Sequence, residues 1–252
     1  MFTVALIGPD GVGKTTIARR LEREFPRPLK YLYMGDNVET SNVMLPTTRW
    51  WKQRQLRRQR ARSTTKMPTV SVATPPAAKP ASKKGLLALP AHCTRRLLHP
   101  LRKSLGLANR ICEQSYREMV ALWYARRGII VLFDRHFVLD YYHFDIDPQA
   151  ASRSFKRRLH GFLLRHLSRT PDLVVCLDAP GDVVFRRKGE FSPEFLEKRR
   201  LQYREFAHLV EHFELVDANR DLELVVHDVG RVIAGFQAHG QHGGGRNAHA
   251  QA

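Results

Sequence analysis

The amino-terminal sixteen residues place a glycine-rich loop between a short apolar run and a helical pattern. Residues 2–7 are apolar and rich in β-branched side chains, which is typical of a buried strand. The loop that follows, GPDGVGKT at residues 8–15, fits G-x-x-x-x-G-K-[ST] at every required position. Beyond the loop, apolar residues recur at helical spacing: Ile17, Ala18, Leu21 and Phe25. Strand, loop and helix therefore occur in the order that this motif requires.

The residue types of this loop suit a phosphate ligand. Glycines allow backbone conformations in which several N–H groups point inward at an anion, and a helix that opens at Lys14 adds unpaired N–H groups. In this motif the lysine reaches the outer phosphates and the hydroxyl of the next residue, Thr15, ligates Mg²⁺. We predict a nucleoside triphosphate site. Its predicted members are Gly8, Gly11, Val12, Gly13, Lys14, Thr15 and Thr16.

The rest of the chain alternates apolar runs of strand length with helical patterns. We predict strands at residues 30–34, 129–133, 173–177 and 214–216, and helices at about 107–127, 152–168, from Ser192 onward, and 222–236. Such alternation predicts an α/β fold of three layers, α/β/α, around a mainly parallel sheet, as in P-loop NTPases. Ligands of such sheets bind beyond the carboxyl ends of the strands, where the glycine loop, Asp134 and Asp178 fall.

The positive charge of the chain is concentrated in one segment. The 252 residues include 42 Lys and Arg and 24 Asp and Glu. Residues 40–112 contain 16 of the basic residues and no acidic one, which leaves 26 basic and 24 acidic residues elsewhere. We therefore predict one domain, residues 1–237, interrupted by a basic and partly disordered insert at 40–106. Residues 238–252 are rich in Gly, His and Gln, and we predict a disordered tail there.

Two parts of the insert suggest partners other than a small molecule. Residues 49–66 combine an arginine run with Trp50 and Trp51, which suits either nucleic acid or an anionic membrane surface. Residues 86–105 mix leucines with cations, so they fit a basic helix on a membrane and equally a helix packed on the core. Both alternatives stay open, as does a homodimer.

The cysteines and the hydropathy suggest a reducing compartment. Cys93, Cys112 and Cys176 are odd in number and widely spaced, so they indicate neither a disulfide framework nor a zinc site. The first predicted strand begins at Phe2, which leaves no room for a signal peptide, and no apolar run approaches the length of a transmembrane helix. We expect a cytoplasmic protein, with a peripheral position at the inner membrane surface as the alternative.

Three features favour phosphoryl transfer to a small molecule. Asp134 and Arg135 follow an apolar strand, so a carboxylate would lie near Mg²⁺ and a guanidinium near an anionic acceptor. The alternative is a helix-capping aspartate beside an ordinary ion-pairing arginine. Asp10 lies inside the glycine loop, where most such loops need no particular side chain, and we expect it to position an acceptor hydroxyl.

The third feature is a run of cations at residues 186–188. Arg186 and Arg187, with the lysine after them, precede a Gly-Glu turn and a helix that we expect to begin at Ser192. Cations at a mobile connection suit a lid that closes over phosphates and excludes water. The alternative is a solvated charge run.

Several motifs together resemble the thymidylate kinase family of P-loop kinases. They are GPDGVGKTT, FDRH, PDLVVCLDAP, RRKG and VDANR, in the order and spacing of that family, and the similarity covers most of residues 1–36 and 107–237. The resemblance implies that Lys14 and Thr15 bind ATP and Mg²⁺, and that Asp134 and Arg135 face the metal and the acceptor phosphate. It further implies a lid arginine at Arg186 or Arg187, and a position near the adenine for Asn219 and Arg220.

The chain departs from that family at the acceptor. Thymidylate kinases carry a Phe and an Arg on the helix before the Asp-Arg strand, and these places fall near Asn109 and Glu113. Arg110 and Arg117 lie close enough to substitute, and His136 stands where the family has Tyr. A nucleoside monophosphate is therefore the leading acceptor. The alternatives are a kinase of a sugar or cell-envelope intermediate and a nucleic-acid-binding P-loop ATPase.

Overall fold

The computed structural model describes residues 2–35, 37–64, 91–136 and 155–243. Within them the chain forms five strands: β1 (Thr3–Ile7), β2 (Leu29–Tyr33), β3 (Ile130–Asp134), β4 (Leu173–Asp178) and β5 (Phe213–Asp217). The α-helices are α1 (Lys14–Glu24), α2 (Pro46–Thr64), α3 (Ala91–Arg126), α4 (Phe155–Leu167), α5 (Gly181–Lys188), α6 (Pro193–Glu205) and α7 (Leu222–Gly243). Residues 65–90, which belong to the predicted insert, and residues 137–154 lie outside the described residues.

The five strands form one parallel sheet in the order β2-β3-β1-β4-β5. β1 therefore lies at the centre, between β3 and β4. The register pairs Leu6 with Asp134 and Ile7 with Cys176, so the end of β1 is level with the ends of both neighbours. Because all strands point the same way, every strand ends at one edge of the sheet, and the loops that follow share that edge.

Both faces of the sheet are covered. Alternate side chains of a strand point to opposite faces, and β1 shows this: Leu6 packs in one core cluster and Ile7 in the other. The first cluster contains buried residues of α1 and α7, and the second contains residues of α3, α4 and α6. The prediction of a three-layer α/β fold with a mainly parallel sheet is confirmed.

The boundaries of several elements differ from the sequence predictions. The helix expected within residues 86–105 and the helix predicted from about residue 107 are one helix, α3, which begins at Ala91; α2 and α5 had no predicted counterpart. Residues 186–188, expected in a mobile connection, form the last turn of α5. The carboxyl-terminal helix runs to Gly243, so residues 238–243 of the predicted tail are helical, while 244–252 lie outside the described residues. The predicted cap at Ser192 is confirmed, since its side chain accepts a hydrogen bond from the backbone N–H of Phe195.

Contacts divide the chain into two compact units. One comprises residues 1–44 and 114–252, and the other comprises residues 45–113. The first contains the sheet and all the predicted site residues. The predicted insert boundaries, 40–106, stay a prediction. No helix within the described ranges is long and apolar enough to cross a membrane.

Candidate nucleotide-binding site

The loop after β1 has the backbone that a phosphate cradle requires. Gly8, Gly11 and Gly13 have φ angles of 139°, 99° and 104°, in the region that favours glycine. A Cβ at Gly8 would lie 2.6 Å from the carbonyl oxygen of Leu177, a contact that real Cβ atoms do not make. A Cβ at Gly11 would lie 3.1 Å from the Cβ of Lys188. The loop is therefore packed against β4 and α5, and any side chain at these glycines would disturb it.

Lys14 opens α1, and its side chain is buried against the loop. Its ammonium donates hydrogen bonds to the carbonyl oxygens of Gly8 at 2.7 Å and Pro9 at 2.8 Å. It also lies 3.8 Å from the carboxylate of Asp10. The lysine charge is thus held at the loop, where the backbone N–H groups and the start of α1 concentrate positive potential.

Thr15 joins the glycine loop to β3. Its hydroxyl donates a hydrogen bond to Oδ2 of Asp134 at 2.5 Å. Asp134 ends β3 and has no exposed surface, and its other oxygen, Oδ1, is buried without a hydrogen-bond partner among the described residues. An unpaired buried carboxylate oxygen is costly unless a ligand satisfies it. A Mg²⁺ ion bound with phosphates keeps several waters and takes only one or two ligands from the protein. The hydroxyl of Thr15 and the carboxylate of Asp134 fit this requirement.

Tyr31 supports the same carboxylate from β2. Its hydroxyl donates to Oδ2 of Asp134 at 3.3 Å. Burial, and then the negative charge of Asp134, raise the pKa of Tyr31 well above its ordinary value. The phenol therefore keeps its proton at neutral pH and remains a donor. Since β2 and β3 are neighbours, the sheet itself fixes this contact.

Arg135 connects the end of β3 to the glycine loop through Asp10. Its guanidinium donates to the Asp10 carboxylate in a short ion pair. Burial alone would raise the pKa of Asp10, but the combined positive charges of Lys14, Arg135, Lys188 and Arg199 outweigh it and lower the pKa. Asp10 is thus an ionised acceptor. A carboxylate among four cations leaves positive charge in excess, which suits anionic ligands.

The backbone of Arg135 is strained. Its φ angle of 71° is uncommon for a residue with a side chain, and it comes directly after the fully buried Asp134. Such strain costs about 1–3 kcal/mol and is concentrated at functional sites. The N–H of Arg135 donates to the carbonyl oxygen of Leu6, so the turn stays tied to β1.

The predicted lid cations are only partly brought to this site. Arg186 and Arg187 are exposed, and Arg186 pairs with Asp182 one helical turn away at 3.0 Å. The cation of this run that lies against the loop is Lys188, next to Gly11. Neither the packing of Lys188 against Gly11 nor the electrostatic effect of Arg199 of α6 on Asp10 was predicted. The RRK run signalled the first, and no sequence pattern signalled the second.

Asn219 and Arg220 follow β5 at the carboxyl edge of the sheet. β4 lies between β5 and β1, so these residues share the edge of the sheet with the glycine loop but follow a strand that does not neighbour β1. Both are exposed; the backbone N–H of Asn219 donates to Asp217, and Arg220 pairs with Asp228 at 2.5 Å. Their predicted contact with the adenine stays a prediction.

An ion-pair network braces the end of β4 against the two helices that follow it. Arg200 of α6 forms two hydrogen bonds with the carboxylate of Asp178, at 2.6 and 2.8 Å, and a third with Glu197 at 2.8 Å. Glu197 in turn accepts from the backbone N–H of Gly181 at 2.9 Å. Asp178 was predicted at this edge of the sheet, but its partner Arg200 was not. The network makes Asp178 a structural anchor.

A second group of buried polar side chains lies on α3, on α4 and just after β3. Arg117, 1% exposed, donates to the carbonyl oxygen of Gly35 at 2.9 Å, and the amide of Gln114 lies 3.3 Å from the ring of His160. Burial raises the pKa of Glu118 to about 7, and its Oε1 atom has no hydrogen-bond partner among the described residues. This group was not predicted, apart from Arg117. The only feature of the sequence that could have indicated these buried polar residues is their position within the apolar pattern of a helix.

Burial also keeps His136 neutral. The side chain has no exposed surface, and desolvation lowers its pKa to about 4, with the Arg169 backbone acting in the opposite direction. The ring packs edge-on against Phe133 at a centroid distance of 5.5 Å. The residue two positions after Asp134 is thus part of the packed interior at this edge.

A comparison with models of known protein families supports the interpretation of the glycine loop as a P-loop. The model of the AAA domain, dynein-related subfamily, matches residues 3–70. That match contains the glycine loop and ends before β3, so it does not include Asp134, Arg135 or the lid cations. No curated protein matches the chain. The parallel sheet, the glycine loop and this match together give the chain the α/β fold and the nucleotide-binding loop of P-loop NTPases.

Proposed function

We propose that the protein is an ATP-dependent phosphotransferase that moves the γ-phosphoryl group of ATP to a small acceptor. A nucleoside monophosphate such as thymidylate is the leading candidate. The observation that carries this proposal is the joining of the glycine loop to the end of β3 by two contacts, Thr15 to Asp134 and Asp10 to Arg135. The loop supplies the donor end. The Asp-Arg pair supplies a metal-binding carboxylate and a cation for an anionic acceptor.

The donor end would use charge and alignment. Lys14 and the loop N–H groups would bind the outer phosphates, and Thr15 with Oδ1 of Asp134 would hold Mg²⁺. When bound, Mg²⁺ neutralises phosphate charge and fixes the phosphate oxygens. To meet the phosphates, the Lys14 ammonium would exchange its hydrogen bonds to Gly8 and Pro9 for phosphate oxygens.

The acceptor end would use Arg135 and Asp10. The guanidinium of Arg135 would bind an acceptor phosphate in its planar fork. Asp10, held ionised by surrounding cations, would accept a hydrogen bond from an acceptor hydroxyl or hold Arg135 in place. Arg186 or Arg187, at the end of α5, would approach the transferred group, and Asn219 and Arg220 the base.

The match to an AAA domain favours a second candidate, ATP hydrolysis without a small acceptor. In a phosphotransferase the small acceptor receives the phosphoryl group, and in an ATPase water receives it. An ADP-release screen with purified protein, ATP and Mg²⁺ should test nucleoside monophosphates and sugars separately. For a phosphotransferase we expect release at least tenfold faster with one acceptor than with water alone. Equal release with and without every acceptor would support hydrolysis instead.

Lys14 and a matched surface lysine make the site itself testable. Lys14→Ala should lower acceptor-dependent ADP release by at least about a hundredfold, because the removed charge acts on the transferred group. Its circular dichroism should stay that of the wild type. Lys198→Ala, on the exposed face of α6, should keep full activity. Undiminished activity of Lys14→Ala would contradict the proposed site.

A further inference from the structure

The helix α2 is an unusually basic surface. Residues 49–62 contain seven cations: Arg49, Lys52, Arg54, Arg57, Arg58, Arg60 and Arg62. No acidic residue occurs between residues 40 and 112, so none of these cations has an acidic neighbour at i±3 or i±4 on the helix. None of the residues predicted for the P-loop site lies on this helix.

One end of α2 is anchored, and the middle of the helix is exposed. Thr48 is 3% exposed, and its hydroxyl donates to the side chain of Asn109 on α3 at 3.2 Å. Just before α2, the backbone N–H of Leu45 donates to Glu113 of α3 at 3.1 Å. From Gln53 to Arg58 every side chain is exposed. This stretch of α2 therefore presents Arg54, Arg57 and Arg58 to solvent and is not a core element.

The cations surround the helix axis. At about 100° per residue, the seven positions spread over the whole circumference, and Leu56 is the only aliphatic residue with more carbons than alanine between Arg49 and Arg62. A helix that lies in a membrane interface needs an apolar face opposite its charged face. α2 has no such face. Its charge pattern instead fits a polyanion that wraps around or lies along the helix.

Two exposed tryptophans add a stacking surface. Trp50 is 60% exposed and Trp51 is 52% exposed, and both lie in the first turns of α2 beside the cations. The guanidinium of Arg54 lies 5.2 Å from the ring centroid of Trp50, so one face of that ring is already paired with a cation. Bases stack on such aromatic rings only when they are unpaired, as in single strands.

We propose that α2 binds single-stranded nucleic acid, with its cations on the phosphates and Trp50 and Trp51 stacked on bases. The inference is independent of the proposed phosphotransferase activity, because no residue of the P-loop site takes part. Cations beside aromatic side chains are the pattern by which single strands are bound without sequence preference.

The test uses the full-length protein and three ligands. They are a fluorescein-labelled single-stranded 20-mer of mixed sequence, the same sequence as a duplex, and vesicles with and without anionic lipid. We expect the single strand to bind more tightly than the duplex and the vesicles. Its affinity should fall with salt by about 0.7 logarithmic units per phosphate contacted for each tenfold rise in salt.

Two variants separate stacking from charge. Replacing Trp50 and Trp51 together by Ala should weaken single-strand binding at least about fivefold and leave duplex binding unchanged, since only stacking is lost. The triple variant Arg54→Gln, Arg57→Gln and Arg58→Gln should reduce the salt slope by about 2. ADP release should stay at the wild-type rate in both variants.

A matched control removes the same charge elsewhere. The triple variant Arg23→Gln, Arg27→Gln and Arg126→Gln changes three exposed arginines outside α2 and should keep the wild-type affinity. Equal loss in both triple variants would show that overall charge acts, and would overturn the proposal. Tighter binding to anionic vesicles than to the single strand would overturn it in favour of a membrane. Duplex binding equal to single-strand binding, with no effect of the tryptophan change, would overturn it as well.

Discussion

At the scale of single residues, the candidate site is a set of charges that contact one another across two strand ends. Thr15 and Asp10 come from the loop after β1, and Asp134 and Arg135 come from the end of β3. Because β1 and β3 are neighbours, residues that are more than a hundred positions apart meet directly. The residues proposed to bind the metal and those proposed to bind the acceptor are therefore adjacent in these two contacts.

Asp134→Asn tests the role of the buried oxygen. We expect the nucleotide-free protein to keep its free energy of unfolding within about 1 kcal/mol, because Asn has the same shape and still accepts from Thr15. The extra thermal stabilisation that Mg²⁺ adds to ATP should disappear, since the amide supplies no charge to the ion. Thermal unfolding with ATP in Mg²⁺ or in EDTA measures this. The control Asp172→Asn, at the opposite edge of the sheet, should keep the stabilisation by Mg²⁺. If Asp134→Asn also kept this stabilisation, Asp134 would not be a ligand of the ion.

Glu118 and His136 predict two opposite dependences of stability on pH. The pKa of Glu118 is about 7, above its ordinary value, so the stability associated with it is fully present below pH 4.5 and is lost as pH rises toward 7. The pKa of His136 is about 4, below its ordinary value, so its stability is present above pH 6.5 and is lost as pH falls toward 4. In the wild type the two slopes should largely cancel between pH 4.5 and 6.5.

Single variants should separate the two pH dependences of the free energy of unfolding. Glu118→Gln leaves the histidine effect, so its stability relative to wild type should rise by about 2–3 kcal/mol between pH 4.5 and 6.5. His136→Gln leaves the carboxyl effect, and its relative stability should fall by a similar amount over that range. Urea unfolding at three pH values measures both. Curves parallel to the wild type would show that neither group is perturbed as described.

The sequence predicts the residues of the glycine loop better than their partners. The loop residues are fixed by spacing within eight positions, so the motif identifies them without a structure. Asp134 and Arg135 are identifiable because they follow an apolar strand. The positive charges of Lys188 on α5 and Arg199 on α6 act on Asp10 from distant parts of the sequence, and no local pattern encodes such an arrangement. The buried Glu118 is hidden for the same reason.

At the scale of elements, the network around Arg200 fixes α5 and α6 to the end of β4. Arg200→Met leaves the carboxylate of Asp178, itself only 14% exposed, without its partner. We expect a loss of about 2–3 kcal/mol in the free energy of unfolding, measured by urea denaturation. Adding Asp178→Asn should recover part of it, because the unpaired charge is gone. Arg186→Met breaks only an exposed pair and should cost less than about 0.5 kcal/mol.

Elements were predictable where an apolar period or run marks them. Strands β1 to β4 each hold a run of buried apolar residues, whereas β5 buries only Val216. All five strands were predicted within two residues of their observed bounds. α2 has no apolar period, because its cations and glutamines surround the axis, so sequence patterns show no helix there. α5 has eight residues, too few for a clear period. Its helical state follows from its packing on α6, where a Cβ at Gly181 would lie 2.5 Å from a backbone oxygen of Pro193.

At the scale of the whole molecule, the basic helix and the proposed phosphotransferase site belong to different units. The unit of residues 1–44 and 114–252 contains every predicted site residue, and the unit of residues 45–113 contains the basic helix α2. The chain outside residues 40–112 is nearly neutral. The two proposed activities should therefore be separable, since they share no residue.

A deletion tests that separation. Thr48 contacts Asn109 at 3.2 Å, so residue 48 and Gly106 are close enough for a six-residue Gly/Ser linker, which spans up to about 20 Å, to replace residues 49–105. The shortened chain should keep acceptor-dependent ADP release within about threefold of wild type, because Lys14, Asp134 and Arg135 are untouched. Single-strand binding should be lost with α2. A folded deletion protein that binds the single strand as before would disprove the assignment to α2, and one without ADP release would show that the basic unit takes part in phosphoryl transfer.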